Sequence, residues 1–211
     1  MLSLANYGLR FAQTCKKTCC WNCHLEQPHK DCEFFCKNCH KLLPVNIDNY
    51  FTLFDQPKSF NIDLKKLEKS YKGYQRQVHP DRFFHSSKTE MQNADKVSCC
   101  INEGYKVLKD PIKRGEYMLD LFEKNVKMEV PQEFLIDVID IHEQIEAAKK
   151  NSPELKKVMD TVNDMLAQEE SSLAKNLEVI EDKSLKNPNG ASENLAKIRY
   201  LHRILNKIKE K

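Results

Sequence analysis

The tripeptide His79-Pro80-Asp81 constrains the fold most, because it interrupts two stretches of helical periodicity. Before it, apolar residues recur at intervals of three and four, the period of one buried helix face. These residues are Leu64, Leu67, Tyr71, Tyr74 and Val78. Pro80 cannot continue a helix and disfavours the helical conformation at the preceding residue. The first helix must therefore end at the tripeptide.

A second apolar stripe follows the loop and ends at Asp110-Pro111. Its members are Met91, Ala94, Val97, Ile101, Tyr105 and Leu108. Two amphipathic helices joined by a loop pack as an antiparallel hairpin. We therefore expect the tripeptide to be displayed at the tip of a helical hairpin.

The outward side of the first helix is strongly basic. Its cations are Lys65, Lys66, Lys69, Lys72 and Arg76. Only Asp63 and Glu68 oppose them, and Asp63 is placed to cap the first turn. Taken alone, this face could be an ordinary solvated one.

Three segments together resemble a J-domain, the module that stimulates the ATPase of DnaK-type heat-shock chaperones. The match runs over residues 48–121 and includes the segments 49–54, 71–81 and 102–111. A plain hairpin with a proline-terminated loop would not account for all three segments. The resemblance implies that the basic face meets an acidic surface of the chaperone and that the tripeptide biases it toward hydrolysis. The implied chaperone-binding residues are Lys69, Lys72, Arg76, His79, Pro80 and Asp81.

Seven of the nine cysteines fall between Cys15 and Cys39. Cys20 and Cys23 form one pair with two-residue spacing, and Cys36 and Cys39 form another after twelve intervening residues. Each short pair can aim two sulfurs at one ion, so two pairs complete a tetrahedral tetrathiolate site. One structural Zn²⁺ is the expected occupant. Iron would use the same ligands, and the spacing does not exclude it.

Other potential ligands lie close by in the sequence. They are Cys15, Cys19, His24, His29, Cys32 and His40, and we rank them lower because none completes a second two-residue pair. We expect residues 18–44 to form a zinc module that staples a segment too small to bury a core. Trp21, Phe34 and Phe35 are candidates to pack this module against the rest of the protein.

The C-terminal third predicts three more helices, at about 131–150, 153–183 and 192–209. Ser152-Pro153 supplies a cap followed by proline at the first helical position, and the segment 187–190 reads as a loop. Short connections between long amphipathic helices favour an antiparallel three-helix bundle over residues 131–211.

Two of these helices carry more apolar residues than one core face needs. On the first, the stripe of Phe134, Val138, Ile141, Ile145 and Ala148 suffices, and Leu135, Ile136 and Ile139 fall roughly 100 to 200 degrees away from it. On the third, Tyr200 and Ile204 stand away from the stripe of Ile198, Leu201, Leu205 and Ile208. Apolar residues mixed with Asp140, Glu143 and Arg199 are typical of a protein-binding patch. A first helix buried on two sides is the alternative.

Metal module, hairpin and bundle together resemble the HscB-type co-chaperones of iron-sulfur cluster biogenesis, in the animal form with an N-terminal tetracysteine module. Nearly the whole chain is covered. The resemblance implies an all-α adaptor, with no chemistry of its own, that delivers the iron-sulfur scaffold protein to a mitochondrial 70-kDa heat-shock chaperone for cluster transfer. The positions that match the scaffold-binding surface are Leu135, Ile136, Ile139, Asp140, Glu143, Arg199 and Tyr200.

Residues 1–17 read as a presequence or a flexible tail, because the chain has no acidic residue before Glu26 and a weakly amphipathic, basic start. We expect a mitochondrial matrix location and leave a cytosolic pool open. No stretch approaches the length of a membrane span, and the net charge of +3 is modest. Neither a membrane nor a nucleic acid is an expected partner.

Two rival functions use the N-terminal segment. A redox or iron-transfer protein would employ Cys19 and Cys32 as exchangeable thiols, and a nucleic-acid-binding zinc ribbon would use nearby lysines. Those lysines are Lys16, Lys17, Lys30, Lys37 and Lys41. An enzyme is not expected, since His79 has no nucleophile motif or orienting carboxylate beside it. Finally, Gly73, Gly104 and Gly115 at helical positions each predict a cost of about 1 kcal/mol relative to alanine.

Overall fold

The computed structural model describes residues 18–27, 33–44, 47–123, 126–150, 152–181 and 183–211. Helices dominate these residues, and strands are confined to two short hairpins. Two compact units share them. The first contains the described residues of Met1–Pro57 and Asp63–Lys106, and the second contains those of Lys58–Ile62 and Val107–Lys211. The expected all-α class, with hairpin, bundle and N-terminal cysteine cluster, is confirmed, whereas the predicted domain boundaries stay predictions.

The described part of the first unit begins with a two-stranded antiparallel ribbon and continues into helices. Its elements are β1 (Thr18–Cys19), β2 (Glu26–Gln27), α1 (Tyr50–Leu53), α2 (Leu64–Val78), a 3-10 turn (Pro80–Phe83) and α3 (Lys88–Lys109), whose last residues belong to the second unit. Asp63 caps α2 as predicted, because its Oδ1 accepts hydrogen bonds from the backbone nitrogens of Lys65 and Lys66 at 2.9 and 3.0 Å. Helix α2 ends immediately before His79, where the proline rule placed its end.

A polar network fixes the register of α2 against α3. Tyr71 Oη and Gln75 Nε2 both donate to Asn102 Oδ1, at 2.9 and 2.8 Å, and Ser98 Oγ donates to Gln75 Oε1. The Tyr71 ring stacks on Tyr105 with centroids 4.1 Å apart. These pairs run in opposite directions along the two helices, so the hairpin is antiparallel and the tripeptide lies at its tip.

Six residues of the two predicted stripes are buried and the three tyrosines are half-buried, but the remaining two residues are exposed. Leu64 is 50% exposed and Met91 is 38% exposed. Both stand in the first turn of their helix. Periodicity assigns a residue to a face of a helix but does not show where along that helix the packed partner begins, so the prediction of burial was wrong at these ends.

Gly104 lies where α3 meets two aromatic rings. A Cβ atom added there would stand 2.8 Å from Tyr50 Cδ1 and 3.1 Å from Phe54 Cε2. Both rings are almost completely buried and have little room to move. The sequence predicted that this glycine weakens its helix, but the structure shows that the rings require it. At Gly73 no atom from elsewhere in the described chain lies within 4 Å of the same position.

We expect Gly104→Ala to lower the free energy of unfolding and Gly73→Ala to raise it. Overpacking a core costs about 1–3 kcal/mol, which exceeds the gain of about 1 kcal/mol in helix propensity. Gly73→Ala makes no new contact and should show only that gain. Urea unfolding of the full chain, followed by circular dichroism, measures both changes. A Gly104→Ala protein as stable as Gly73→Ala would contradict the close approach.

The second unit is helical with one small hairpin. Its elements are α4 (Pro111–Phe122), α5 (Gln132–Ala147), α6 (Pro153–Asn176), β3 (Val179–Ile180), β4 (Ser184–Leu185) and α7 (Pro188–Glu210). Buried apolar side chains of α5, α6 and α7 form one core, which confirms the expected bundle. Helix α4 packs on α7, where Gly115 faces Leu195. In the part of the chain that the structure describes, none of the helices combines the length and the apolar character that crossing a membrane requires.

Several predicted helix limits were wrong. Helix α6 ends at Asn176 and not at Lys183, and the chain continues through the fully buried Leu177 into the β3-β4 hairpin. Helix α7 begins at Pro188 and not at Ser192, because Asn187 is an N-cap whose Oδ1 accepts from the Gly190 nitrogen at 3.0 Å. Asn-Pro is a loop signal and also the start of a helix, with proline at the first position.

Two further predictions failed for related reasons. Helix α4 was given no start of its own, although Gly115 was placed at a helical position. Asp110-Pro111 was taken only as the end of α3, yet Asp110 Oδ1 accepts from the nitrogens of Ile112 and Lys113 and so caps a new helix. Ile204 was placed outside the α7 stripe but is 1% exposed. Helix α7 is packed by both α4 and α6, so its buried sector is wider than one stripe.

Candidate functional site

Four cysteines of the first unit converge on one point. Cys20 Sγ lies 3.6 Å from Cys39 Sγ, Cys23 Sγ lies 3.6 Å from Cys36 Sγ, and all four sulfurs lie within 4.8 Å of one another. Four thiolates around one zinc ion at 2.3 Å would be about 3.8 Å apart in a tetrahedron. The sulfurs therefore fit a tetrathiolate site without rearrangement of the fold.

The two cysteine pairs sit on equivalent turns. In the first, the Cys20 nitrogen donates to the Leu25 oxygen and the His24 nitrogen donates to the Cys20 oxygen, both at 2.9 Å. The second turn repeats this pattern between Cys36, His40 and Lys41 at the same distances. The residue after each outer cysteine has a left-handed backbone, with φ of 58° at His24 and 56° at His40. We call these two turns, residues 20–25 and 36–41, the knuckles.

The knuckles set unequal environments for the thiols. Burial raises the pKa of Cys20 to about 11. Hydrogen bonds lower the pKa of Cys23 to about 6, with the largest effect from the Leu25 backbone and the next largest from the Asn38 side chain. The Lys41 backbone lowers the pKa of Cys39 in the same way. Donors aimed at the outer sulfurs favour the thiolate, the form that binds a metal.

The lower-ranked ligands do not join this cluster where they are described. His24 and His40 are exposed turn residues, and Cys19 is exposed on β1. Cys15, His29 and Cys32 lie outside the described residues, as do most of the lysines assigned to the nucleic-acid alternative. Among the described residues, the four predicted cysteines are therefore the side chains that could hold a metal ion together.

Cys36→Ser should abolish the binding of one metal ion per chain, because three thiolates do not close a tetrahedral site. Cys19→Ser is the matched control, since it removes an adjacent, exposed thiol outside the cluster. Elemental analysis of the purified, dialysed proteins measures the stoichiometry. Equal metal content in the two variants would defeat the four-ligand assignment, and loss only in Cys19→Ser would favour the redox or iron-transfer alternative.

The tripeptide forms a well-defined turn at the tip of the hairpin. His79 Nδ1 lies 3.4 Å from both the backbone nitrogen and Oδ2 of Asp81, so a carboxylate that the sequence did not predict does lie beside this imidazole. Phe83 is buried and anchors the turn, whereas the Asp81 side chain is 88% exposed. Arg82 folds back so that its Nη1 donates to the Arg76 oxygen at 2.7 Å. The Asp81 carboxylate is thus presented to solvent on a fixed support.

The basic face of α2 is exposed as predicted. Lys69, Lys72 and Arg76 all point to solvent. Lys72 Nζ pairs with Glu68 Oε1 at 2.6 Å, and this contact raises the pKa of the lysine. Water screens an exposed pair of this kind, which therefore contributes little to stability, so a partner's carboxylate can replace Glu68 at little cost.

A second exposed surface lies on α5. Ile136 is 60% exposed and Ile139 is 57% exposed, which excludes the alternative of a helix buried on two sides. Asp140 and Glu143 flank them in solvent, and Leu135 is half-buried. We call Leu135, Ile136, Ile139 and their acidic neighbours, together with Tyr200, the apolar face.

Tyr200 joins α7 to the apolar face through ring contacts. Its ring meets Phe134 edge-on with centroids 6.4 Å apart, and the Arg203 guanidinium lies 5.7 Å above it. Phe134 itself is buried and carries Lys197 Nζ at 5.8 Å from its ring. Tyr200 is therefore held in place and half-exposed beside α5.

Arg199, predicted to belong to the same surface, is half-buried and forms contacts within the protein. Its guanidinium forms a close ion pair with Glu116 of α4, and its Nη1 lies 3.5 Å from Met128 Sδ. Glu116 is only 7% exposed. Burial raises the pKa of the Glu116 carboxyl, and Arg199 partly offsets that effect. Periodicity could not find this pair, since it joins residues far apart in sequence.

Known proteins resemble the chain over most of its length. Residues 130–209 match the family described as the HSCB C-terminal oligomerisation domain. The human iron-sulfur cluster co-chaperone protein HscB is 33% identical over 199 residues, which cover 91% of this chain and 81% of the human protein. The mouse protein of the same name is 31% identical over 196 residues, which cover 90% of this chain and 81% of the mouse protein. The chain belongs to the HscB family of iron-sulfur cluster co-chaperones.

Solved HscB structures share the fold. The crystal structure of human HscB matches with a TM-score of 0.82 and 32% identity, over 92% of this chain and 98% of the human one. HscB from Vibrio cholerae matches with a TM-score of 0.67 and 25% identity, over 77% of this chain and 96% of its own. In this member of the HscB family, the exposed tripeptide and the cysteine cluster lie in one unit and the apolar face lies in the other.

Proposed function

We propose that this HscB-family chain stimulates the ATPase of a mitochondrial 70-kDa heat-shock chaperone of the DnaK type and delivers the iron-sulfur scaffold protein to it for cluster transfer. The observation that supports this most is the division of two exposed surfaces between the two units. The tip of the hairpin belongs to one, and the apolar face to the other. A chain of this kind can hold two partners at once, which raises the concentration of one near the other.

The chaperone side of the proposal rests on charge and exposure. Lys69, Lys72 and Arg76 would meet an acidic surface of the ATPase domain, where complementary charge speeds encounter and fixes orientation. Asp81 is then presented for an arginine of the chaperone, with His79 and Pro80 holding the turn. The exposed carboxylate on a buried support suits this role.

The scaffold side rests on uncovered apolar surface. Ile136 and Ile139 are both more than half exposed on the outward side of α5, beside the carboxylates of Asp140 and Glu143. A small apolar centre with a charged rim is the composition of a specific protein interface. Leu135 and Tyr200 would extend its centre, and Arg199 its rim.

The cysteine cluster would hold one Zn²⁺ with a structural role. Zinc needs no redox partner and suits a closed site of four sulfurs. When bound, the ion would cross-link the two knuckles through their cysteine sulfurs. We further infer a mitochondrial matrix location, supported by the animal relatives, with a cytosolic pool left open.

Steady-state ATP hydrolysis by the purified mitochondrial chaperone tests the proposal. We expect this chain to raise the rate at least tenfold in a saturable manner, and the scaffold protein to raise it further at subsaturating chain concentration. Scaffold binding is measured separately by titration calorimetry. A folded, zinc-loaded chain that binds the scaffold but leaves the hydrolysis rate unchanged would overturn the chaperone half of the proposal.

A further inference from the structure

The end of the second knuckle is bound to the first turns of α3 through Lys41 and through the backbone of the following residue, Leu42. The Leu42 nitrogen donates to Glu90 Oε1 at 3.3 Å, and its oxygen accepts from Asn93 Nδ2 at 3.2 Å and from Trp21 Nε1 at 2.8 Å. Lys41 Nζ pairs with Glu90 Oε2 at 2.8 Å. We call the contacts of Lys41 and Leu42 with Glu90 and Asn93 the clamp.

The clamp accounts for two buried polar side chains that the hairpin does not explain. Glu90 is 4% exposed and Asn93 is 7% exposed. Glu90 lies on the same face of α3 as Ala94, Val97 and Ile101, where an apolar residue would be expected, and Asn93 lies beside that face. The Glu90 carboxylate accepts hydrogen bonds from Lys41, the last residue of the second knuckle, and from Leu42, which directly follows it. A buried carboxylate is tolerated only where such partners are fixed in place.

A more local use of Glu90 would be expected from its position. Ser87 Oγ accepts from the Glu90 nitrogen at 3.3 Å, so Ser87 and Glu90 have the spacing of a capping box. In that motif the glutamate side chain turns back to the backbone nitrogen of the cap residue. Here the two carboxylate oxygens reach Lys41 and Leu42 instead. The first turn of α3 is therefore held by the knuckle.

The knuckle also contacts the other arm of the hairpin. Phe34, beside the second cysteine pair, packs edge-on against Tyr74 of α2 with centroids 5.1 Å apart. The backbone on the two sides of the knuckle is hydrogen-bonded. The Leu43 nitrogen donates to the Phe34 oxygen at 2.8 Å, and Phe35 and Leu42 form an antiparallel β-bridge. The segment around the second cysteine pair thus contacts α2 before the tripeptide and α3 after it.

We propose that Glu90 and Asn93 are positioning residues through which metal occupancy of the knuckles controls the conformation of the tripeptide loop, an inference that rests on the ATPase-stimulating function proposed above. With four sulfurs bound to one ion, the knuckle holds both arms and the loop between them. Without the ion, the turn that presents Lys41, Leu42 and Phe34 loses its cross-link, and the clamp opens. The chaperone-facing tip then samples more conformations.

Glu90→Ala, in the full zinc-loaded chain, tests the clamp. Glu103→Ala is the matched control, since it removes an exposed carboxylate of the same helix. We expect Glu90→Ala to keep one metal ion and normal scaffold affinity, while amide hydrogen exchange over residues 79–90 becomes at least tenfold faster. The chain concentration for half-maximal ATPase stimulation should rise about tenfold. Glu103→Ala should change neither quantity.

Metal removal provides the second arm of the experiment. Treating the wild-type chain with a zinc chelator should accelerate exchange over residues 79–90 as much as Glu90→Ala does, and should add little further acceleration in that variant. If Glu90→Ala does not fold, Lys41→Met replaces it in the experiment, because this change removes one partner of the carboxylate at a partly exposed site. Its acceleration of exchange should lie between those of the untreated and the chelator-treated wild-type chain. Acceleration confined to residues 18–44 after chelation would overturn the inference.

The outcomes separate this inference from the proposed function. If the wild-type chain stimulates the chaperone and Glu90→Ala does so equally well, with unchanged exchange, the clamp has no such role and the proposed function stands. If the wild-type chain does not stimulate at all, the proposed function fails, and the clamp fails with it as a control of activity.

Discussion

Asp81→Asn is expected to abolish stimulation of chaperone ATP hydrolysis while leaving scaffold binding unchanged. The Asp81 side chain is 88% exposed, and within the described parts of the chain its ion-pair partner is His79. Losing one carboxylate from a buried, charge-assisted contact in a complex costs about 2–5 kcal/mol, which is a loss of about thirtyfold or more in affinity for the productive state. Steady-state hydrolysis with purified chaperone measures the effect.

The control for this variant is Asp95→Asn, an exposed aspartate on α3 in the same unit. Both changes remove one negative charge from the surface, and both should alter the free energy of unfolding by less than about 0.5 kcal/mol. Stimulation should persist in Asp95→Asn. Equal loss in the two variants would mean that net charge, and not the tripeptide, carries the effect.

Ile136→Ala combined with Ile139→Ala should produce the reverse pattern, with scaffold binding lost and intrinsic chaperone stimulation retained. Both side chains are more than half exposed in the free chain, so shortening them removes little packing from the fold. Fully burying an isoleucine is worth about 1.5–3 kcal/mol, and a complex would newly cover only the exposed part of each side chain. We therefore expect Kd for the scaffold to rise about thirtyfold or more. Titration calorimetry with the purified scaffold measures this change.

Ile180→Ala is the matched control, because Ile180 is 46% exposed in the β3-β4 hairpin of the same unit. It should leave scaffold affinity unchanged. Adding Tyr200→Ala to Ile139→Ala should also abolish binding, although part of that loss would come from the ring contact with Phe134. Normal affinity in the Ile136→Ala, Ile139→Ala protein would remove the apolar face from the proposal.

Local patterns predicted the elements of this fold well wherever one short rule decides the outcome. The proline rule placed the end of α2, the Asp63 cap placed its start, and cysteine spacing predicted the four-sulfur cluster. The same rules failed where one signal has two meanings. Asp110-Pro111 and Asn187-Pro188 each mark an interruption, and each also caps the helix that follows.

Contacts between distant segments were beyond the reach of pattern reasoning. The sequence predicted only that Gly104 weakens its helix, because the neighbouring rings of Tyr50 and Phe54 are far away in the sequence. Glu90 could not be connected with Leu42, since the capping-box spacing gives that carboxylate a local use. Periodicity found the exposed isoleucines of α5 because it needs only one helix, whereas these pairings depend on the tertiary fold.

The ion pair between Arg199 and Glu116 changes how an alanine scan of the apolar face must be interpreted. Arg199→Ala would leave the Glu116 carboxylate, which is 7% exposed, without its ion-pair partner. In a fully buried pair such a loss destabilises a fold by about 3–5 kcal/mol. The loss is smaller here, because the arginine is 36% exposed. A scan would then report Arg199 as a hot spot even if it never touched the partner. Pairing Arg199→Ala with Glu116→Gln separates the two roles, because only a genuine contact keeps its deficit after the stranded charge is neutralised.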